Sequence, residues 1–367
     1  MLDRTVSNRI AMLRPLLIIA MVFSHMQSTS INMSDIDPGF FNHVGAFFIH
    51  GIARGTVPTM SMIAGFLLFS MSLDLQFTKM VKKKMTTLVI PFIAFNLAYV
   101  AYVVVCDIVF KENRLGDLAT LAASIGWFDV LFGFGQYPVN APLYFVRDLI
   151  VFSLMAPLLG GIMRTLPVLG LAGLIVIFGF NHDGNLVFRS SSLILFYIGG
   201  MAAVYKWDLL AMDKYAKPCA VIFLLLCLAL MAFKMADNTI LVMAAPFLIW
   251  PAASLLSKTR IEAWGLKHAK YSFFIFAAHM PLMELTWLAV TGPLKFVPYI
   301  VYWAITPFAV SAFLMVVYNV SMRVAPTAFN IMVGARPAKP KYADRRKTAR
   351  PVNAPVYSAE ERMTLAH

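Results

Sequence analysis

The sequence predicts an all-α, polytopic membrane protein of about ten transmembrane helices with both termini in the cytoplasm. Three observations carry that prediction. Of 367 residues, 60% are hydrophobic and only 13% are charged, and the mean hydropathy is +0.75. A soluble domain averages roughly 45–50% apolar and about 25% charged residues, so this chain has too few charges to solvate a surface. The apolar residues also fall in long runs, and in lipid a backbone must pair its polar groups within its own helix.

Runs long enough to span about 30 Å of hydrocarbon lie near 9–28, 44–72, 85–106, 142–163, 166–180, 190–206, 218–234, 239–256, 271–290 and 298–322. The second is long, and Gly55 with Pro58 is expected to break or kink it. The fifth is short. An even number of crossings returns the chain to the side on which it began.

The basic residues orient this layout. Of the 31 lysines and arginines, 23 fall on the side of the N-terminus, among them Arg4, Arg9, Lys79, Lys82–Lys84, Lys214, Lys258 and Lys267. Five fall on the other side: Lys111, Arg114, Arg189, Lys234 and Lys295. Cytoplasmic loops are enriched in Lys and Arg, so both termini are expected in the cytoplasm. The net charge of +13 then orients the protein and meets anionic membrane lipid; no nucleic-acid partner is expected. Self-association is left open by the sequence.

The first run carries Arg14 and His25 and lacks a small-x-small cleavage pattern, so it reads as a retained helix and not a signal peptide. Cys106, Cys219 and Cys227 have no metal or redox spacing and read as small core residues. No internal repeat of the transporter kind is visible. Residues 1–325 form the expected transmembrane domain. Residues 326–367, basic and proline-rich, are expected to be a disordered cytoplasmic tail. The external segment 107–141 contains Trp127 and Phe128 and is apolar enough to lie at the membrane interface.

Function is to be sought where charge enters the spans: at Arg14, Arg54 and Arg147. A buried arginine costs at least ~2.5 kcal/mol on insertion scales, so it lines a cavity or holds a partner. Arg14 and His25 stand eleven residues apart, about 20° from alignment on a helix and about 16 Å along it. One wall therefore offers a fixed cation near the inner leaflet and a titratable imidazole toward the outer boundary. The bland alternatives are an arginine snorkelling to lipid phosphate and a histidine bonding between helices.

In the second run Arg54, Ser61 and Gly65 share a face, and the glycine lets a helix or a ligand approach. Lys82, Lys83 and Lys84 precede Pro91 at the cytoplasmic face, either as orientation signal or as a phosphate clamp. Arg147 and Asp148 are adjacent, so on a helix they diverge and are not expected to form a simple pair. His279 lies about 12 Å above Tyr271 on the ninth span, as a helix-bridging residue or a member of the site.

These motifs together resemble the family 3 membrane acyltransferases of bacteria. The resemblance rests on Leu13-Arg14 through Ser24-His25, on Val57-Pro58 leading into Ile63-Ala-Gly-Phe-Leu-Leu, on the lysine loop before Pro91, on Leu143-Tyr-Phe-Val-Arg, and on Ser272 through His279-Met-Pro-Leu. It covers roughly 5–322. Two departures stand out: Ala64 occupies the position where the family often has serine, and the loop after the second span has only lysines where the family has arginine. The overall pattern looks most like enzymes that decorate exopolysaccharide, such as the succinyl-transferring enzymes of rhizobial succinoglycan synthesis.

The resemblance implies transfer of an acyl group from cytoplasmic acyl-CoA, succinyl-CoA favoured over acetyl-CoA, to a hydroxyl of a polysaccharide or lipid-linked oligosaccharide. No metal is expected. His25 would act as general base, or alternatively as transient acyl carrier. Arg14 with Lys82, Lys83 and Lys84 would hold the CoA phosphates. Arg54 and Arg147 would stabilise the oxyanion or pair a succinyl carboxylate, with His279, Ser61 and Asp148 as further candidates. The rival reading is a transporter or flippase of a lipid-linked saccharide or anionic metabolite, with the arginines lining its path. A structural subunit of an export complex fits buried charge least well.

Overall fold

The computed structural model describes residues 3–26, 40–111, 113–180, 186–233 and 237–334. Lys234 and the tail from 335 onward lie outside them. Among the described residues every regular element is a helix. The first, α1 (Arg4–Ser24), starts at Asp3, whose carboxylate accepts the N–H groups of Thr5 and Val6 at 2.7 and 3.2 Å. Those bonds, to Val6 and Thr5, hold Asp3 below the ordinary carboxylate range.

The second run is irregular up to Gly55, and Pro58 lies in the first turn of the α-helix that follows. A short helix α2 (Phe40–Ala46) passes through a π-helical turn at Phe47–Gly51 and a 3₁₀ turn at Ile52–Gly55 before α3 (Thr56–Ser70). After α3 come α4 (Phe77–Lys84), a π-helical turn at Met85–Val89 and α5 (Ile90–Phe110), one continuous helical stretch. The external segment folds as two short helices, α6 (Arg114–Ile125) and α7 (Trp127–Phe132), that expose Trp127, Phe128 and Ile125. An apolar exposed face on a short helix suits the headgroup boundary.

The remaining crossings are α8 (Tyr144–Thr165), α9 (Pro167–Gly179), α10 (Ser190–Val204), α11 (Ala216–Ala232), α12 (Thr239–Ala252), α14 (Ser272–Thr291) and α15 (Tyr299–Val324). Between α12 and α14 lies the short basic helix α13 (Arg260–His268). Eight helices among the described residues are long and apolar enough to cross a membrane. The segments Pro167–Ile177 and Ser190–Val204 are apolar but shorter, so the ten expected spans resolve into eight long helices and two short ones. Exposed Val105, Ile108, Leu225, Phe308 and Val316 cover the outward faces of α5, α11 and α15, as lipid contact requires. The chain is a multi-pass membrane protein.

Packing sets α1 at the centre. Of its apolar window 61% is buried, against 22% for the stretch Ala211–Ala232 at the periphery. The closest crossing joins α3 to α10. A Cβ at Gly65 would stand 2.0 Å from the carbonyl oxygen of Phe196, and one at Gly199 would stand 2.0 Å from that of Met62. Gly65 therefore serves backbone-to-backbone helix packing.

One expectation is corrected, and one charge proves buried. The chain does not become a tail at 326: α16 (Pro326–Met332) follows α15, and its Phe329 is buried against Phe274 and Tyr318. A proline at the first helical position favours this start. Arg9 is not a solvated end charge. It is 3% exposed, bonds both oxygens of Asp213 at 2.7 and 2.6 Å, and stacks on Trp250 at 5.0 Å.

Candidate functional site

Helix direction alternates along the chain, so the C-terminal end of α1 meets the N-terminal ends of α3, α8, α10 and α12. There the structure holds a cavity of about 650 Å³ whose lining includes His25, Arg54, Tyr144, Arg189, Ser192 and Asn238. It lies at the end of the bundle away from the N-terminus, where the basic residues are few.

His25 sits at the C-cap of α1, its backbone N–H bonded to the Val22 carbonyl at 3.1 Å. Its ring centroid stands 5.1 Å from that of His279. His279 is 0% exposed, and its Nδ1 lies 2.8 and 3.2 Å from the carbonyl oxygens of Phe276 and Ile275. A carbonyl only accepts, so Nδ1 carries the proton and Nε2 keeps a lone pair. That Nε2 is buried without a partner. His279 therefore does not bridge helices by a hydrogen bond; it stands beside His25 with an unused acceptor.

A buried amide lattice fixes this end of α14. Asn140 donates its backbone N–H to Asn96 at 3.1 Å and its side-chain amide to the Ala277 carbonyl at 3.0 Å. Asn96 in turn bonds the Phe92 carbonyl of its own helix at 2.9 Å. The chain entering α8 is thus tied to α5 and to the residues just before His279. Neither asparagine drew notice in the sequence, because an uncharged amide is common at helix interfaces, as at Asn96, and ordinary in a loop, as at Asn140.

Arg54 reaches the cavity because the π-helical and 3₁₀ turns break the run just ahead of α3. Among the described residues it makes no ion pair, and its Nε is buried without a hydrogen bond. Arg147 behaves differently. It pairs with adjacent Asp148 at 3.0 Å, donates Nε to the Gly133 carbonyl at 3.1 Å, bonds the Leu186 carbonyl and covers the ring of Phe188 at 4.5 Å. The expectation that these neighbours diverge is wrong. They are the fourth and fifth residues of α8, and there a long guanidinium can fold back over a short carboxylate.

Asp148, 0% exposed, also accepts the N–H groups of Phe188 and Arg189, each at 3.3 Å. The pair is a clamp on residues 186–189, and it presents Arg189 to the cavity. Arg189 lies over the Tyr144 ring at 5.9 Å and makes no ion pair among the described residues. It had been counted as an external charge, since its place at a span boundary is equally that of a solvated residue.

The other candidates fall elsewhere. Ser61 is buried but spends its hydroxyl on the Val57 carbonyl at 2.9 Å. Arg14 is half-buried at mid-helix, with no ion pair among the described residues. Gly265 of α13 abuts Met12, so the basic helix α13 lies about 3 Å along the axis from Arg14. Lys82, Lys83 and Lys84 end α4 at that same face, away from the cavity lining. Glu284 is taken by Arg114 at 2.9 Å and by the Tyr99 hydroxyl. Among the described residues no three His, Cys, Asp or Glu side chains converge as a metal site would need.

The arrangement thus separates a basic inner face from an outer cavity lined by His25, which His279 adjoins, and by two arginines without an ion pair among the described residues. The sequence matches the acyltransferase-domain family over residues 8–321. The chain belongs to that family. This acyltransferase is also 28% identical, over 384 aligned residues, to the succinoglycan biosynthesis protein ExoH of Rhizobium meliloti strain 1021, with 98% of this chain and all of that one covered. No solved structure matches it.

Proposed function

We propose that the protein is an inner-membrane O-acyltransferase that moves an acyl group, succinyl in preference to acetyl, from cytoplasmic acyl-CoA to a sugar hydroxyl of a surface polysaccharide or its lipid-linked precursor. The observation that carries this reading is the outer cavity in which His25, backed by His279, shares a wall with Arg54 and Arg189. A sugar hydroxyl is a weak nucleophile until a base takes its proton in the transition state. His25 takes that proton. The hydroxyl oxygen bonds to the acyl carbon, the carbon–sulfur bond breaks, and the thiolate leaves with the proton as the CoA thiol.

His279 supports the step from behind. Its free Nε2 faces a neighbour that becomes a donor on both nitrogens when protonated. Arg54 answers the negative charge that develops on the acyl oxygen. Ser190, Ser191, Asn238 and Thr239 give the cavity the hydroxyl and amide groups that sugar hydroxyls pair with. Arg14 and Lys82–Lys84, on the basic face, would hold the CoA phosphates. Arg147 with Asp148 positions the Arg189 segment instead of meeting substrate. The succinyl preference draws on two cavity cations that lack a carboxylate partner among the described residues, and on the relative whose name places it in succinoglycan biosynthesis.

The test is purified protein in liposomes with labelled succinyl-CoA and a polysaccharide acceptor. Label in ester linkage to the polysaccharide is expected. Unmodified saccharide carried across the bilayer, with no ester formed, would make the protein a transporter.

A further inference from the structure

One wall of the cavity is the start of α10, where the Ser192 backbone N–H bonds the Arg189 carbonyl at 2.8 Å but polar side chains are left for a ligand. Arg189 is the N-cap residue, yet its side chain caps nothing in the helix. Ser190, Ser191 and Ser192 all line the cavity. Ser192 is 1% exposed, and its hydroxyl has no hydrogen-bond partner. A buried hydroxyl without a partner is unfavourable, and a bound acceptor atom would relieve it. The first turn of a helix also presents N–H groups without intrahelical acceptors and a partial positive charge. Arg54 adds a second cation with a buried, unpartnered Nε.

We propose that the first turn of α10, with Ser192 and Arg189, is a carboxylate subsite that holds the free carboxylate of a dicarboxylic acyl group while its other carbonyl reacts beside His25. This rests on the acyl-transfer reading above and names the group that selects the donor. Charge matching is the argument. Transfer of a dicarboxylic acyl group brings two negative charges into the cavity, the free carboxylate and the developing oxyanion. Two cations face them, Arg189 and Arg54, neither of them in an ion pair among the described residues, and Asp148 behind the α10 start is already neutralised by Arg147. An acetyl group brings only the oxyanion and leaves Arg189 and Ser192 unanswered. The carboxylate itself takes no part in bond making.

The experiment measures kcat/KM for succinyl-CoA and acetyl-CoA with the full-length protein in liposomes, for wild type, Ser192→Ala, Arg189→Gln and Arg189→Lys. Both donors are assayed on one preparation, so their ratio does not depend on how much of a variant folds. The succinyl-over-acetyl ratio is expected to fall about tenfold or more in Arg189→Gln, the size of a lost charge-assisted bond. Ser192→Ala should lower it several-fold, and Arg189→Lys should keep part of it. A ratio unchanged in both Arg189→Gln and Ser192→Ala overturns the subsite and leaves the acyltransferase reading intact. The same assays on neutral and uronic-acid-bearing acceptors form a second arm. Should Arg189→Gln change discrimination between those acceptors and not between donors, the carboxylate belongs to the sugar and the proposal is wrong. Wild type that acylates with neither donor would remove the function itself.

Discussion

His279 holds its ring 5.1 Å from that of His25, across from another helix, with Nδ1 committed to backbone carbonyls and Nε2 free. An acceptor fixed in this way steadies a neighbouring imidazole as it takes on a proton. The expected consequence is a split between two substitutions. His279→Leu should lower kcat about tenfold or more with little change in acceptor KM, and His279→Gln, which keeps an acceptor, should recover part of the loss. Equal losses in both, with thermal stability falling in step, would mean that the ring only fills space.

Arg14 should govern the donor. Arg14→Ala is expected to raise KM for acyl-CoA about tenfold, and Arg14→Lys less, because an ammonium lacks the planar fork that meets phosphate bidentately. Steady-state kinetics over a range of acyl-CoA concentrations checks it. An unchanged KM in both variants would show Arg14 to be a snorkelling residue.

The Arg147–Asp148 clamp should matter for stability and, through residues 186–189, for activity. Arg147→Met leaves a fully buried carboxylate without its cation, and breaking such a pair costs about 3–5 kcal/mol. The melting temperature in detergent should drop clearly. Adding Asp148→Leu to the same protein should restore much of the stability without restoring transfer, since the clamp on the Arg189 segment is still lost. A single Arg147→Met protein as stable as wild type would contradict the clamp.

The contrast between Arg54 and Arg147 shows what the sequence could and could not reveal. Both read as buried arginines without partners, and apolar context was enough to mark them. Sequence spacing treats Arg147 and Asp148 as diverging neighbours, yet at a helix start both side chains turn into the loop that packs above. Arg189 and Arg9 expose a second limit. At a span boundary, a residue facing water and one facing a cavity or a carboxylate look alike, and only the position of Asp213, or of the α10 start, decides between them. The helices themselves were legible because each is one apolar run. Their bounds were less so, as the helical stretch Phe77–Phe110, expected over 85–106, shows. Five motifs in order carried the family, and Asn96 and Asn140 carried no signal at all.

Gly65 tests the packing that holds α10 in place. Gly65→Ala puts a methyl group 2.0 Å from the Phe196 carbonyl oxygen, so α3 and α10 must separate. The expected cost is at least about 1–3 kcal/mol, read as a lower melting temperature. Because α10 carries Arg189 and Ser192, acyl transfer should fall as well. An alanine variant with wild-type melting would show that the crossing is looser than described.

The central claim is that the outer cavity esterifies a sugar hydroxyl with His25 as its base. Mass spectrometry of the surface polysaccharide tests it directly, in cells making wild-type protein, no protein, or a membrane-inserted His25→Ala protein. Acyl esters should be present with wild type and absent without the protein. In the His25→Ala cells they should fall about 10²-fold or more, the usual worth of a general base. Esters at wild-type abundance in the His25→Ala cells would contradict the account.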